Sequence, residues 1–343
     1  MNSEPAGFDR DALISALRTW DLSVSTLTYL PVGAGSHHYL ALDSDGRRWF
    51  VTVDELITKL FGMSGPTFMP WLDVDLDAAF DALNRAFGTA VALRQAGLEF
   101  VHGPILRPDG EVLTRLSDYT VSVFPFIDGI SDTPGDAGRH RLLEVIGRLH
   151  AATDSIPPGL PQHDSLTVPL KPRFLDTLDD LRSPWTTGPY GEPARLLLQP
   201  RADAIRDLFR RCDQLADAVR AAGKPWVITH GQMHAANIVH TTDDTLLLVD
   251  WDCVALAPRE RDLGTWGNDL DPKTDQDWAA YTSAGQPRDM DPAAIELYRH
   301  IGLLWTICAD TEVFRSPHAD DADARHEWNN LHVALSTVDA WPS

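Results

Sequence analysis

Thr229-His230-Gly231-Gln232-Met233-His234-Ala235-Ala236-Asn237, followed by Leu248-Val249-Asp250-Trp251-Asp252, is the stretch on which the reading of this chain turns. A short apolar strand at 226–229 leads into a polar loop that ends on an amide, Asn237. A second apolar strand, at 246–249, ends on a carboxylate, Asp250. The turn at 241–245 folds the chain back so that the two side chains converge. An amide oxygen and a carboxylate are hard ligands of the kind that hold Mg²⁺. Phosphoryl transfer asks little more of a protein than such a cation and a group to orient the attacking hydroxyl.

Outward from this hairpin the chain reads as two unlike parts. On the N-terminal side, Leu13, Ile14 and Leu17 recur at helical spacing. Strand-like runs follow at 26–31, 39–42 and 48–53. They are punctuated by Gly33-Ala34-Gly35-Ser36 and by Asp43-Ser44-Asp45-Gly46, which is a hairpin signal. A loop at 61–70 precedes a long helix carried by Phe80, Leu83, Phe87, Val91 and Leu93 and stopped by Gly97. Two further strands are predicted at 111–116 and 119–126. Beyond residue 134 the pattern is helical at 142–152, 172–183, 192–222, 275–284 and 292–314, with a helix start at 320–325. The predicted architecture is α+β in two lobes: a strand-rich lobe over 1–126 and a mainly helical lobe over 127–343 that holds the hairpin.

The chain has 343 residues, 43% hydrophobic and 23% charged, a globular balance with room for two cores. Fifty acids against 29 bases give a formal charge of -21, a field that repels nucleic acid and anionic lipid and attracts cations. No apolar run reaches the roughly 20 residues that span a bilayer. Residues 1–9 carry acids and no apolar stretch, unlike a secretory signal. Cys212, Cys253 and Cys308 are few and scattered, which fits a reducing cytoplasm better than a disulfide framework. His37-His38 lacks further ligands at metal-binding spacing.

The loop and strand resemble the catalytic and metal-binding segments of aminoglycoside phosphotransferases, matching at His230, Gly231, Asn237 and Asp250. The run from Val249 through Ala257-Pro258-Arg259-Glu260-Arg261-Asp262-Leu263 most resembles the spectinomycin phosphotransferase branch. Val123-Phe124-Pro125-Phe126-Ile127 looks like that family's inter-lobe hinge, and Leu149-His150-Ala151 like the helix after it. The resemblance implies a kinase-like fold and O-phosphorylation of an aminoglycoside or aminocyclitol, in antibiotic resistance or natural-product biosynthesis. It implies ATP or GTP with Mg²⁺ on Asn237 and Asp250, and His230 bracing the loop. Asp262 would anchor backbone, Gly33, Gly35 and Ser36 would cover the phosphates, and the backbone from Phe124 to Phe126 would hold the adenine edge.

Three positions depart from that pattern. Gln232 stands where the family carries its aspartate base; glutamine orients a hydroxyl but does not take its proton. Thr52 stands where the family's phosphate-binding lysine lies, leaving Lys59, Arg85 or a second metal ion to neutralise phosphate. Asn84 falls where the partner glutamate is expected. Loss of both members of a buried charge pair is self-consistent, because either alone would be stranded. The alternative reading is therefore a kinase-fold protein that has lost phosphotransfer and serves as a ligand-binding protein or in another natural-product reaction. For a small polar, cationic substrate the candidates are Asp252, Trp266, Asp269, Asp271, Asp310 and Glu312, with Trp305 as a flat wall. The simpler reading puts Asp269 and Asp271 in a surface turn beside Pro272, Trp305 in the core and His234 in a structural hydrogen bond.

Overall fold

The computed structural model describes residues 4–5, 8–33, 35–59, 75–131, 136–264, 270 and 272–341. The chain opens with α1 (Arg10–Leu17), capped by the Asp9 carboxylate accepting from the Ala12 N–H. Then come β1 (Val24–Leu30), β2 (His37–Asp43), β3 (Arg48–Glu55), a one-turn α2 (Leu56–Lys59), α3 (Leu76–Gln95), β4 (Thr114–Leu116) and β5 (Tyr119–Pro125). The five strands form one antiparallel sheet in the order β1-β2-β3-β5-β4. Strand periodicity sorts its faces. Tyr39, Ala41, Val51, Val53, Val121 and Val123 point one way and pack with Leu13, Leu17 and Trp20 as a closed core. Phe50, Thr52 and Asp54, with their partners on β2 and β5, point the other way, toward the second lobe.

The second lobe contains β6 (Gly129–Ser131), α4 (Asp136–Ala151), β7 (Gln162–His163), α5 (Lys171–Asp179), α6 (Gly191–Leu198), α7 (Ala202–Ala222) and β8 (Val227–Thr229). It continues through β9 (Ile238–Thr241), β10 (Leu246–Leu248), β11 (Ala255–Ala257), α8 (Glu260–Leu263), α9 (Asp275–Thr282), α10 (Pro292–Arg315) and α11 (Ala322–Ala340). α10 packs on α7 and α11 in one large core; α4 packs on α9 in another. The α+β two-lobed expectation holds.

Several details differ from the sequence reading. The 192–222 helix is interrupted at Pro200, whose missing N–H leaves a 3-10 turn between α6 and α7. Strand 111–116 begins only at Thr114, because residues 107–111 close a turn on Gly110, which has φ +90°. Strand 246–248 pairs not with 227–229 but with β9, an unanticipated four-residue strand, while β8 pairs with β11. The sheet ends at Pro125, one residue before the expected lobe boundary. α3, however, shares its core with the second lobe: Leu83, Phe87 and Leu93 pack with Leu142, Ile238, Leu248 and Trp251.

Candidate active site

The catalytic-loop segment is held from beneath by Asp262, which is wholly buried. Its carboxylate accepts the N–H groups of His230 at 2.9 Å and Gly231 at 2.7 Å, and the Nε2–H of His150 at 3.1 Å. The Tyr281 hydroxyl lies 2.9 Å from His150 Nδ1 and completes that ring's pairing. Burial opposes the charge on Asp262, but the His150 and backbone hydrogen bonds hold its carboxyl below the usual range. An aspartate that anchors backbone is thus what the structure shows here.

His230 ties the loop to the end of β10. Its Nε2–H donates to Val249 O at 2.8 Å, and its Nδ1 accepts the Gln232 N–H at 3.3 Å. Complete burial lowers its pKa, so the ring is neutral and keeps that tautomer. Its edge meets Trp251 at 4.6 Å between centroids, and the indole N–H caps Leu248 O at 2.8 Å. Arg261, quoted in the sequence motif without a role, is a second brace. It pairs with Asp164 at 3.0 Å and donates to Thr229 Oγ1 and Cys253 O. A Cβ on Gly231, which has φ +89°, would fall 2.3 Å from that guanidinium. The glycine between His230 and Gln232 is therefore required twice, by its backbone and by Arg261.

On this frame Asn237 and Asp250 converge. Asn237 Nδ2 lies 3.5 Å from Asp250 Oδ2, and also near Gln232 O (3.1 Å), Gln232 Oε1 (3.4 Å) and His234 Nε2 (3.3 Å). These contacts all use the amide nitrogen and set the Asn237 side chain beside the Asp250 carboxylate. Asp250 sits in the left-handed region at φ +66°, a conformation of the kind stored at functional sites. The donor types fit Mg²⁺, since an amide and a carboxylate can each offer it a hard oxygen. Gln232, at the base position, donates from Nε2 to Cys253 Sγ at 3.1 Å and so turns Oε1 toward Asn237. Burial keeps the His234 ring below its usual pKa, and its hydrogen bond is structural, in the same cluster.

The opposite side of the cleft is the outward face of β2, β3 and β5. Thr52, in register with His38 and Ser122, is bonded to His38 Nδ1 at 3.2 Å and not to Asn84. Gly33 and Gly35 both have positive φ, +69° and +78°, as a tight backbone turn over a ligand needs. Ser36 departs from its expected role. Its hydroxyl is turned inward onto Asp54 Oδ1 at 2.6 Å, which leaves only its backbone for a phosphate. The hinge backbone is also largely engaged: Pro125 has no N–H, its carbonyl is bonded by His102, and the Phe126 N–H reaches Arg48 O at 3.4 Å. Burial pushes His102 down to about 4, so that contact comes from a neutral ring. Phe124 itself is buried against Phe87 and His102.

Arg85 is directed elsewhere, to the carbonyls of Leu160 and Pro161. Asp252 is half-buried on the 3-10 turn after Asp250, close enough to His230 to favour its charged form. Asp310 does not behave as an amine-binding carboxylate. It is buried on α10, and burial and a hydrogen bond with Glu327 of α11 raise its pKa well above the ordinary value, so it links two helices. Glu312 is likewise buried and pairs with Arg173 at 2.7 Å. Trp266, Asp269, Asp271 and the Lys59 side chain lie outside the described residues. Among the described residues no helix is long and apolar enough to cross a membrane.

Comparison with known proteins agrees with this geometry. Protein StrN of Streptomyces griseus is 26% identical over 275 residues, covering 76% of this chain and 79% of that protein. A spectinomycin phosphotransferase solved with ADP and spectinomycin superposes with a TM-score of 0.69 at 16% identity, over 96% of this chain and 97% of that one. An amicoumacin kinase solved with AMP-PNP, Ca²⁺ and Ami gives 0.58 at 13% identity, over 98% and 95%. These structures share the fold. The model of the phosphotransferase enzyme family matches residues 26–295, most of the chain and all of the site built above, and the chain belongs to that family.

Proposed function

We propose that this protein transfers a phosphoryl group from ATP or GTP to a hydroxyl of a small, polar, amine-bearing molecule of the aminoglycoside or aminocyclitol class. The observation that carries the reading is the convergence of Asn237 and Asp250 at 3.5 Å on a loop locked by Asp262. Both residues would hold Mg²⁺, and that ion would neutralise charge on the transferring phosphate. Gln232 would orient the acceptor hydroxyl through Oε1 without taking its proton, which passes to water after the new P–O bond forms. A loose transition state tolerates this, since little proton transfer is needed before the bond forms. A formal charge of -21 favours a cationic acceptor over an anionic one. Spectinomycin, the ligand of the spectinomycin phosphotransferase above, is the acceptor to try first.

Mass spectrometry of the protein incubated with Mg·ATP or Mg·GTP and a panel of aminocyclitols and aminoglycosides tests the reading. The expected result is an acceptor heavier by one phosphoryl group, with turnover rising about 10²- to 10⁴-fold in Gln232→Asp as a true base is restored. A second reading, a ligand-binding protein without phosphotransfer, draws on the carboxylate of Asp54 standing two residues from Thr52 on the cleft face. Nucleotide hydrolysis and transfer both absent, with acceptor binding retained, would select that reading instead.

A further inference from the structure

We infer that Cys253 is a positioning residue for phosphoryl transfer, its thiol anchoring the Gln232 amide so that Oε1 is presented to the acceptor hydroxyl. This deepens the phosphotransferase reading above and rests on it. The Gln232 side chain is held at both ends: Nε2 donates to Cys253 Sγ at 3.1 Å, and Oε1 accepts from Asn237 Nδ2 at 3.4 Å. The two partners differ in what they fix. A thiol can donate or accept, so Cys253 sets where the amide lies without choosing which end faces it. The Asn237 nitrogen only donates, and it is itself directed by the Gln232 main-chain oxygen at 3.1 Å, so it takes the oxygen end. Without both anchors the terminal torsion of a glutamine is broad and roughly two-fold.

Cys253 is itself firmly held. It ends the 3-10 turn Trp251–Cys253 that follows Asp250. At the start of that turn Trp251 is wholly buried, with its indole N–H on Leu248 O at 2.8 Å. At its end the Cys253 carbonyl accepts from Arg261 Nη1 at 3.0 Å, and Arg261 is paired with Asp164. The main chain that carries the thiol thus continues directly from the one that carries Asp250, so that carboxylate and the Gln232 amide are placed from one support. An aspartate at 232 is one methylene shorter and has no N–H to give, so the contact with sulfur exists only with glutamine. Gln232 and Cys253 therefore act as a unit.

Steady-state kinetics of Cys253→Ala and Cys253→Ser, made in the wild type and in Gln232→Asp, test this. With glutamine at 232, Cys253→Ala should lower kcat about 3- to 10-fold, the loss of one hydrogen bond, and leave the KM for Mg·ATP unchanged. Cys253→Ser, whose hydroxyl also accepts, should keep most of the rate. With aspartate at 232, Cys253→Ala should change kcat less than about twofold, the non-additivity expected of two residues that act together. Equal kcat in wild type and Cys253→Ala, the same loss in both backgrounds, or no recovery in Cys253→Ser would overturn the assignment while leaving the phosphotransferase reading intact. Absence of transfer by the wild type to every acceptor in the panel would overturn both.

Discussion

The two sides of the cleft treat their buried polar groups in opposite ways. On the catalytic-loop side, Asp262, His230, His150 and Arg261 form a closed network in which three donors meet one carboxylate. On the sheet side, the hydroxyls of Thr120 and Ser122 are fully buried with no hydrogen-bond partner. A closed network specifies one geometry, because each group's partner is lost if any member moves. The sheet side holds separate pairs instead, Ser36 with Asp54 and Thr52 with His38, beside those two unpartnered hydroxyls.

The contrast can be broken most severely at Asp262. Asp262→Ala leaves two backbone N–H groups and His150 without their acceptor, and should lower stability by about 3–5 kcal/mol in urea unfolding. An unchanged midpoint would mean the network is not what fixes the loop. Next in size, Asp250→Asn should reduce phosphoryl transfer and Mg²⁺ dependence at least about 100-fold. Its folding should be unaffected, because asparagine tolerates the left-handed backbone. A parallel fall in melting temperature would make Asp250 structural rather than a ligand.

On the sheet side the sign should reverse. Ser122→Ala removes a buried hydroxyl that bonds nothing, and should raise stability by roughly 0.5–1 kcal/mol; a loss of stability would show the hydroxyl is engaged. The smallest effect concerns Asp310, where burial beside Glu327 favours the proton instead of the charge. Its folded pKa exceeds its unfolded one, so the folded state holds the extra proton. That contribution is full below the ordinary value of 3.8 and lost as pH rises through the raised value. Asp310→Asn should therefore flatten the fall in stability between 3.8 and the raised value, measured as the difference in slope from wild type. Identical slopes would mean that the pair does not share a proton.

Much of the loop side was legible in the sequence because its constraints are local. His230, Gly231, Asn237 and Asp250 fall within 21 residues of one another, and each has a role its residue type dictates. His150, Asp164 and Arg261 were not assigned, since their contacts join elements up to 131 residues apart. Gly231 next to an unassigned arginine was the available hint. On the sheet side, sequence reading placed Ser36 near phosphate but could not tell that its hydroxyl would turn to Asp54. Asp310 was read as a candidate for a cationic substrate because α11, which carries its partner Glu327, was read only as a helix start.

The pairing of residues 98–102 with β10 has a mechanical consequence. Leu248 accepts from the His102 N–H and donates to Phe100 O, two residues before Asp250. α3 and this segment are thereby riveted to the helical lobe, although they precede β4 and β5 in the chain. Any closing of the cleft must pivot beyond that rivet, with α1 and the five-stranded sheet swinging as one plate over a stationary α3. Hydrogen exchange would show it as Phe100 and Leu248 protected together with the helical core, whatever the sheet does.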